Sequence, residues 1–289
     1  MYFSYYAEIL EHLIHNSNRG TYYCPMNLGK KFATVTALGF SLLLTSCGSN
    51  QPTPTTALAP GQGAAAQGGG SLLNAPVPAD VLSTPLFDST GKSFTLGSLK
   101  GKTVVIADFL TSCQEICPMT SINMRTIGDA VAASPLKDSV KVIELSVDSE
   151  RDTASRLAAY QALYQDQNWT VASGAEPGLS KFWKFFGNSY SKTPYSSAEL
   201  AKLPVDWQTG KKNTFDVTHT DEVLIINAQQ SWAWLDLGNP NPGKASIPAK
   251  LKAYLSEDGL NNLAKPQEPS WTPEAVLSAL STITGKKIN

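Results

Sequence analysis

Residues Thr103–Thr120 read TVVIADFLTSCQEICPMT, and how they are read decides the fold. Val104-Val105-Ile106-Ala107 is an apolar, largely β-branched run with the character of a buried strand. It passes through Asp108-Phe109-Leu110 into a polar turn that carries Cys113 and Cys117, and Pro118 follows at once. Proline suits the first position of a helix, where a missing N–H costs nothing. The spacing therefore predicts a helix opening here, with Cys117 as its N-cap and Cys113 in the preceding loop. Both sulfurs then lie at the positive end of a helix, where thiolates are stabilised. Two soft, ionisable sulfurs at the carboxyl end of a central strand form a candidate chemical site, and the rest of the chain is read by what serves it.

The 289 residues suffice for one large domain with appendages, or two small ones. A hydrophobic share of 42% and six Trp supply a core and argue against a largely disordered chain. A net charge of −1 gives no footing for nucleic-acid binding. Cys24, Cys47, His12 and His15 fall in the N-terminal part, whereas Cys113, Cys117 and His219 fall in the body.

The N-terminal part reads as a targeting segment. Lys30-Lys31 precede an uncharged stretch from Phe32 to Leu44, and Leu44-Thr45-Ser46-Cys47 closes it. A basic start, an apolar middle short for a membrane span and small residues before a cut describe a signal peptide over residues 26–46. The ending resembles a bacterial lipobox, which implies diacylglyceryl modification of Cys47 and export to the cell envelope. The competing reading is an uncleaved anchor with an incidental cysteine. Residues 1–25 match no part of such a signal and read as a spurious or extended N-terminus. Residues 47–80, rich in Gly, Ala, Pro, Gln and Ser, read as a lipidated cysteine followed by a flexible tether. On this reading Cys113 and Cys117 are the free thiols and His219 the histidine of an extracytoplasmic protein, in a compartment that permits disulfides.

The folded domain is expected over residues 81–289. Short strands around Leu86-Phe87-Asp88 and Phe94-Thr95-Leu96 lead to the buried strand. Met119, Ile122, Ile127 and Val131 follow at near-helical spacing, and VKVIELSV (140–147) is a second buried strand. Asp152-Thr153 opens a helix with Leu157, Tyr160, Leu163 and Tyr164 on one stripe; Leu179–Phe186 is a short aromatic helix, with Phe182, Trp183, Phe185 and Phe186 read as core. Glu222–Ile226 and Trp232–Leu237 form a hairpin around Asn227–Gln230, and Thr272-Pro273-Glu274 caps a last helix. This order predicts an α/β, thioredoxin-like fold with a central mixed sheet flanked by helices and a site at the carboxyl ends of its strands. Residues 195–215 and 239–269 are longer than ordinary connections and read as insertions that shape a partner surface.

Two thiolates and one imidazole are too few for a closed four-ligand zinc site. Soft sulfur favours Cu(I), and imidazole also accepts Cu(II). The same thiols can close a disulfide. His219 lies in Phe215-Asp216-Val217-Thr218-His219-Thr220-Asp221, just ahead of a strand. A lone histidine is more often a surface or core residue than a ligand, so position alone leaves its role open. Asp148 reads chiefly as a turn cap before the helix.

From about Phe87 to Leu237 the chain resembles the Sco/SenC family, thioredoxin-fold copper proteins of cytochrome c oxidase assembly. The resemblance is carried by Gly101-Lys102, by Cys113-Gln114-Glu115-Ile116-Cys117-Pro118, by Ser146–Thr153 (SVDSERDT) and by Val217-Thr218-His219 before a strand. It implies that Cys113, Cys117 and His219 are copper ligands. Gln114 and Glu115 stand where the family commonly has Pro and Asp; Phe215 and Thr218 replace a Tyr and an Asp; Ser149 replaces a Pro. Those departures leave the three ligands in place and open the question of what orients His219, with Asp216 and Asp221 as candidates.

The resemblance implies a copper metallochaperone, holding Cu(I) or Cu(II) and delivering it to the copper-bearing subunit of cytochrome c oxidase or to another extracytoplasmic cuproprotein. The alternative is a thiol-disulfide oxidoreductase, with Cys113 and Cys117 as a redox pair that keeps a partner's copper-site cysteines reduced. A peroxidase fits less well, because Leu110-Thr111-Ser112-Cys113 lacks the Thr-x-x-Cys spacing. A purely structural lipoprotein leaves the Cys-Cys-His set without a purpose.

Overall fold

The computed structural model describes residues 64–65, 69–165 and 168–288. The expected leader, Cys47 and most of the tether lie outside them; the described residues belong to the compact unit Gly63–Asn289. In chain order the strands are β1 (Ala64–Ala65), β2 (Ser71–Pro76), β3 (Leu86–Asp88), β4 (Ser93–Phe94), β5 (Thr103–Phe109), β6 (Val140–Ser146), β7 (Thr170–Gly174), β8 (Tyr190–Pro194), β9 (Phe215–His219), β10 (Glu222–Ile226), β11 (Ser231–Leu237), β12 (Asn239–Pro240) and β13 (Ser270–Trp271). The helices are α1 (Ala79–Leu82), α2 (Cys117–Ala132), α3 (Ala154–Ala162), α4 (Gly178–Phe186), α5 (Ser197–Lys202), α6 (Ala249–Lys252), α7 (Glu257–Ala264) and α8 (Pro273–Thr284).

β5 is the middle of a nine-stranded mixed sheet ordered β1-β2-β11-β10-β5-β6-β7-β3-β4. All seven of its residues are buried, which is why it reads as a continuous apolar run rather than an alternating one. It pairs in parallel with β6, from Thr103↔Val140 to Phe109↔Ser146, and antiparallel with β10. Parallel neighbours need a crossover, and α2 supplies it by packing on both strands. A second crossover through α3 places β7 parallel to β6. The β10–β11 hairpin turns where expected, its corner held by Asn227 Oδ1 accepting from the N–H groups of Gln229 (3.0 Å) and Ser231 (2.9 Å). The series β11-β10-β5-β6, with α2 joining the two parallel strands and α8 following the hairpin, is a thioredoxin-like α/β arrangement.

Three features differ from the sequence reading. The tether does not run to residue 80: β2 pairs antiparallel with β11 (Trp232↔Ala75, Leu235↔Ser71), and α1 follows it. The short apolar run Ser71-Leu72-Leu73 covers what would otherwise be an open edge of β11. Secondly, the N-cap of α2 is Ile116, not Cys117. Its carbonyl accepts the first helical bonds, from Met119 (2.8 Å) and Thr120 (3.1 Å), which puts Cys117 in the first turn with Pro118. Thirdly, residues 195–215 are the tip of a ribbon: β8 and β9 pair antiparallel as a sheet of their own, from Tyr190↔His219 to Pro194↔Phe215.

The aromatic helix is core. Phe182, Trp183 and Phe186 are fully buried, and Phe186 meets Trp232 of β11 edge-on at 5.3 Å. The last helix is capped as expected, Thr272 Oγ1 accepting from Ala275 N–H at 3.3 Å. Among the described residues no helix is long and apolar enough to cross a membrane.

Candidate functional site

Past Phe109 the chain leaves the sheet, turns through a Cys113 N–H to Leu110 carbonyl bond of 3.2 Å, and enters α2. Cys113 is partly exposed, Cys117 is 1% exposed, and both are free thiols. The N–H groups of Glu115 (3.4 Å) and Cys117 (3.3 Å) both donate to Cys113 Sγ. The two sulfurs differ in acidity. A hydrogen bond from the Cys117 thiol, helped by those backbone donors and by nearby His219, lowers the Cys113 pKa against the opposing effect of burial. Burial first, then the Cys113 sulfur beside it, pushes the Cys117 thiol well up.

His219 ends β9, three residues before β10 begins. Its ring is 7% exposed, and Nδ1 lies 2.5 Å from Asp108 Oδ2 and 3.4 Å from Asp221 Oδ1. Burial disfavours the charged ring, but the Asp108 carboxylate and then Asp221 outweigh it and lift the pKa to about 10. Asp108 is itself fixed, because its Oδ1 accepts from the Glu222 N–H at 2.8 Å. Burial raises Asp221 to about 7 and Glu222 well above the usual carboxyl range. Of the two candidates for orienting His219, Asp221 is a secondary neighbour and Asp216 caps its own strand, accepting from Val217 N–H at 2.8 Å. The main partner is Asp108, which the sequence reading passed over. Its signal was available: a single acid in an otherwise apolar, buried strand needs a partner.

Cys113 and His219 line one cavity of about 560 Å³, walled on one side by Tyr195 and Glu199 from the β8–β9 ribbon and on another by Ser256 and Asp258 around the start of α7. Among the described residues the ligand-type atoms that lie within 4.8 Å of one another are those of Asp108, His219 and Asp221; the cysteines are not in that cluster. The structure thus brings Cys113 and the imidazole to one cavity, with Cys117 buried beside Cys113 in the first turn of α2, without closing the three into a single ligand set. Asp148 behaves as a turn cap, accepting from Arg151 N–H at 3.2 Å and pairing with the Arg151 guanidinium. Chemically the arrangement offers two soft sulfurs of unequal acidity and an imidazole held by carboxylates. That donor set suits a soft or borderline metal and also suits thiol-disulfide exchange.

Comparison with known proteins bears on this directly. Among curated proteins the chain is 32% identical over 109 residues to the SCO1 protein homolog of Bacillus subtilis (strain 168), an alignment covering 37% of this chain and about half (55%) of that protein. It is 28% identical over 178 residues to a Stutzerimonas stutzeri protein named "Putative copper-binding protein", covering 62% of this chain and 72% of that one. Among solved structures, copper-bound ScoI of Bradyrhizobium japonicum is similar at a TM-score of 0.42 with 26% identity, covering 60% of this chain and 97% of that one. The family model described as SCO1/SenC matches residues 84–256, which include β3 through β12, both cysteines and His219. That match spans more than half of the sequence, and the chain belongs to the SCO1/SenC family.

Proposed function

We propose that this protein binds copper through Cys113, Cys117 and His219, as a lipid-tethered protein outside the cytoplasm, and passes it to the copper-bearing subunit of cytochrome c oxidase or to another cuproprotein. One observation carries the reading: within the family match, Cys113 and the His219 imidazole line one cavity past the carboxyl end of the central strand, and Cys117 lies against Cys113, its N–H donating to Cys113 Sγ at 3.3 Å. The donor chemistry fits the metal, since thiolate selects Cu(I) and imidazole tolerates both oxidation states. A named copper-binding relative agrees with it. Copper here is cargo. To receive it, both thiols give up their protons, Cys113 the more readily, and His219 frees a nitrogen. With Nδ1 held by Asp108, either Nε2 ligates or the ring leaves Asp108. Acylation of Cys47 supplies the tether, and two acyl chains anchor stably where one does not.

A second reading, a reductase of a partner's disulfide, draws on the unequal thiols. Cys113, the more acidic and more exposed, attacks the partner disulfide and expels one partner thiolate. Cys117 then attacks the Cys113 sulfur, expels the second thiolate and leaves its proton with it. The partner gains two electrons and the Cys113–Cys117 pair is oxidised.

Anaerobic competition between the reduced protein and a copper chelator separates the two. One copper per chain, weakened by Cys113→Ser and by His219→Ala, is the expected result. Absence of stoichiometric copper, with a dithiol that reduces a model disulfide and ignores His219→Ala, overturns the copper reading in favour of the reductase.

A further inference from the structure

The two long connections do more than wall the cavity. Each reaches the thiol loop and donates to its main-chain carbonyls. Trp207 Nε1, from the ribbon tip, donates to the Thr111 carbonyl at 2.7 Å. From the second connection, the Tyr254 hydroxyl donates to the Ser112 carbonyl at 3.0 Å, and the Ser256 N–H donates to the Gln114 carbonyl at 2.8 Å. The last contact has a particular consequence. The Gln114 carbonyl and the Glu115 N–H belong to one rigid peptide unit. On one side that unit accepts from Ser256; on the other its N–H donates to Cys113 Sγ. Ser256 is the N-cap of α7, its Oγ accepting from Gly259 N–H at 3.1 Å. Gly259 sits so close that a Cβ there would lie 2.2 Å from the Gln114 carbonyl oxygen and 3.0 Å from Glu115 Cα. Glycine is what lets the start of α7 press against this peptide.

We infer that the start of α7, through Ser256, Gly259 and the Gln114–Glu115 peptide, positions Cys113 and biases the Cys113–Cys117 pair toward its reduced, metal-ready form. Ser256 and Gly259 are positioning residues. A donor held on sulfur stabilises a thiolate, which is a charged acceptor, more than the sulfur of a disulfide. Two hydrogen bonds in series across one peptide also reinforce each other. The inference rests on the proposed use of this dithiol, but its effect is read on the metal-free protein.

The test is the dithiol–disulfide equilibrium of the full chain in glutathione buffers, without copper. Gly259→Ala forces the peptide away from α7. Ser256→Pro deletes the donating N–H at a residue whose φ of −69° is open to proline, which holds φ at about −65°. Tyr254→Phe removes a neighbouring donor with little change of volume. Gly259→Ala and Ser256→Pro are each expected to favour the disulfide by about tenfold, a potential more negative by ~30 mV. Tyr254→Phe shifts it the same way by less. Thr272→Ala, which removes a comparable cap from α8, controls for general loosening and leaves the potential where it was. Circular dichroism and the melting temperature identify any variant that has lost its fold. An unmoved potential in folded Gly259→Ala and Tyr254→Phe overturns the inference even where copper binds. A shifted potential in a protein that binds no copper leaves the positioning role standing and removes the chaperone reading.

Discussion

The two sides of the cavity are held by different forces. The thiol side hangs from a fully buried strand in the middle of the sheet and is pinned through its backbone, with hydrogen bonds to the carbonyls of Thr111, Ser112 and Gln114. The imidazole side ends a two-stranded ribbon outside the main sheet and is pinned by charge, through Asp108 and Asp221. Backbone pinning fixes where an atom sits, whatever the pH. Charge pinning depends on protonation and is undone when a cation displaces the proton. A site built this way keeps its sulfurs in place and lets its imidazole respond.

The largest effect is expected on the thiol side. Arg156 pairs with Asp206 through two nitrogens (3.1 and 2.5 Å), donates to Thr111 Oγ1 at 2.5 Å and approaches Asp152 at 3.7 Å, all in the interior. It ties the ribbon tip to the first residues of the thiol loop. Arg156→Ala leaves two acids without their cation and should cost ~3–5 kcal/mol in urea unfolding. A loss below ~1 kcal/mol would mean that this network does not hold the loop. On the imidazole side Asp108→Asn keeps an acceptor for the Glu222 N–H but removes the charge facing His219. It should cost ~1.5–3 kcal/mol, and the cost should depend on pH. The His219 pKa is raised, so its pairing stabilises the fold fully below about 6.5 and loses that as pH rises through about 10. The gap between wild type and variant is therefore widest near pH 6 and closes above pH 10, whereas that of Arg156→Ala stays open across the range.

The same contrast separates what the sequence disclosed from what it withheld. β5, β6 and the β10–β11 hairpin were legible because burial pattern and turn chemistry are local: an apolar run such as VVIA and a turn such as Asn227–Gln230 carry their own instructions. β2 was hidden because Ser71–Pro76 is a strand only by virtue of the β11 edge beside it. β7 opens with the β-branched Thr170-Val171 but ends in the weak strand formers Ala172-Ser173-Gly174, too short a signal alone, and is set by pairing with β6 and β3. At the site, Cys113 and Cys117 announced themselves by spacing and by Pro118. The partnership of Asp108 with His219 joins β5 to the end of β9, and that of Gln114 with Ser256 joins the thiol loop to the cap of α7. Contacts between segments so distant in the chain leave no periodic trace.

A smaller effect tests the floor under the thiol helix. Glu144 of β6 is fully buried, accepting from Trp169 Nε1 at 2.7 Å, and its protonated carboxyl donates to Ser121 Oγ at 2.8 Å, whose own hydroxyl donates to the Cys117 carbonyl at 3.1 Å. Burial raises its pKa to about 8. The folded protein therefore holds a proton that the unfolded chain releases above about 4.5. The neutral carboxyl's contribution is complete below that value and declines as pH rises through about 8. Glu144→Gln mimics the neutral acid, its amide donating to Ser121 Oγ while its carbonyl accepts from Trp169. The variant should match wild type near pH 5 and exceed it in stability near pH 9. Denaturation curves at the two pH values decide this, and parallel losses in both proteins would place the pH-sensitive element elsewhere.

The smallest effect bears most closely on how the imidazole is held. Asp108 and Asp221 both face His219 Nδ1, but they are not equivalent: Asp108 is at 2.5 Å with a side chain 2% exposed, and Asp221 is at 3.4 Å with a side chain 31% exposed. Attraction falls with distance, and water screens the exposed partner more strongly. Asp221→Asn should therefore cost no more than ~1 kcal/mol and leave the ring protonated at neutral pH, whereas Asp108→Asn moves the ring pKa back toward 6.5. Imidazole NMR titration of the metal-free protein reads both variants. If the two substitutions lower the ring pKa equally, His219 is held by a diffuse acidic field rather than by one buried carboxylate. The contrast between a positioned thiol side and a singly tethered imidazole would then give way to an imidazole free to move within a shared negative pocket.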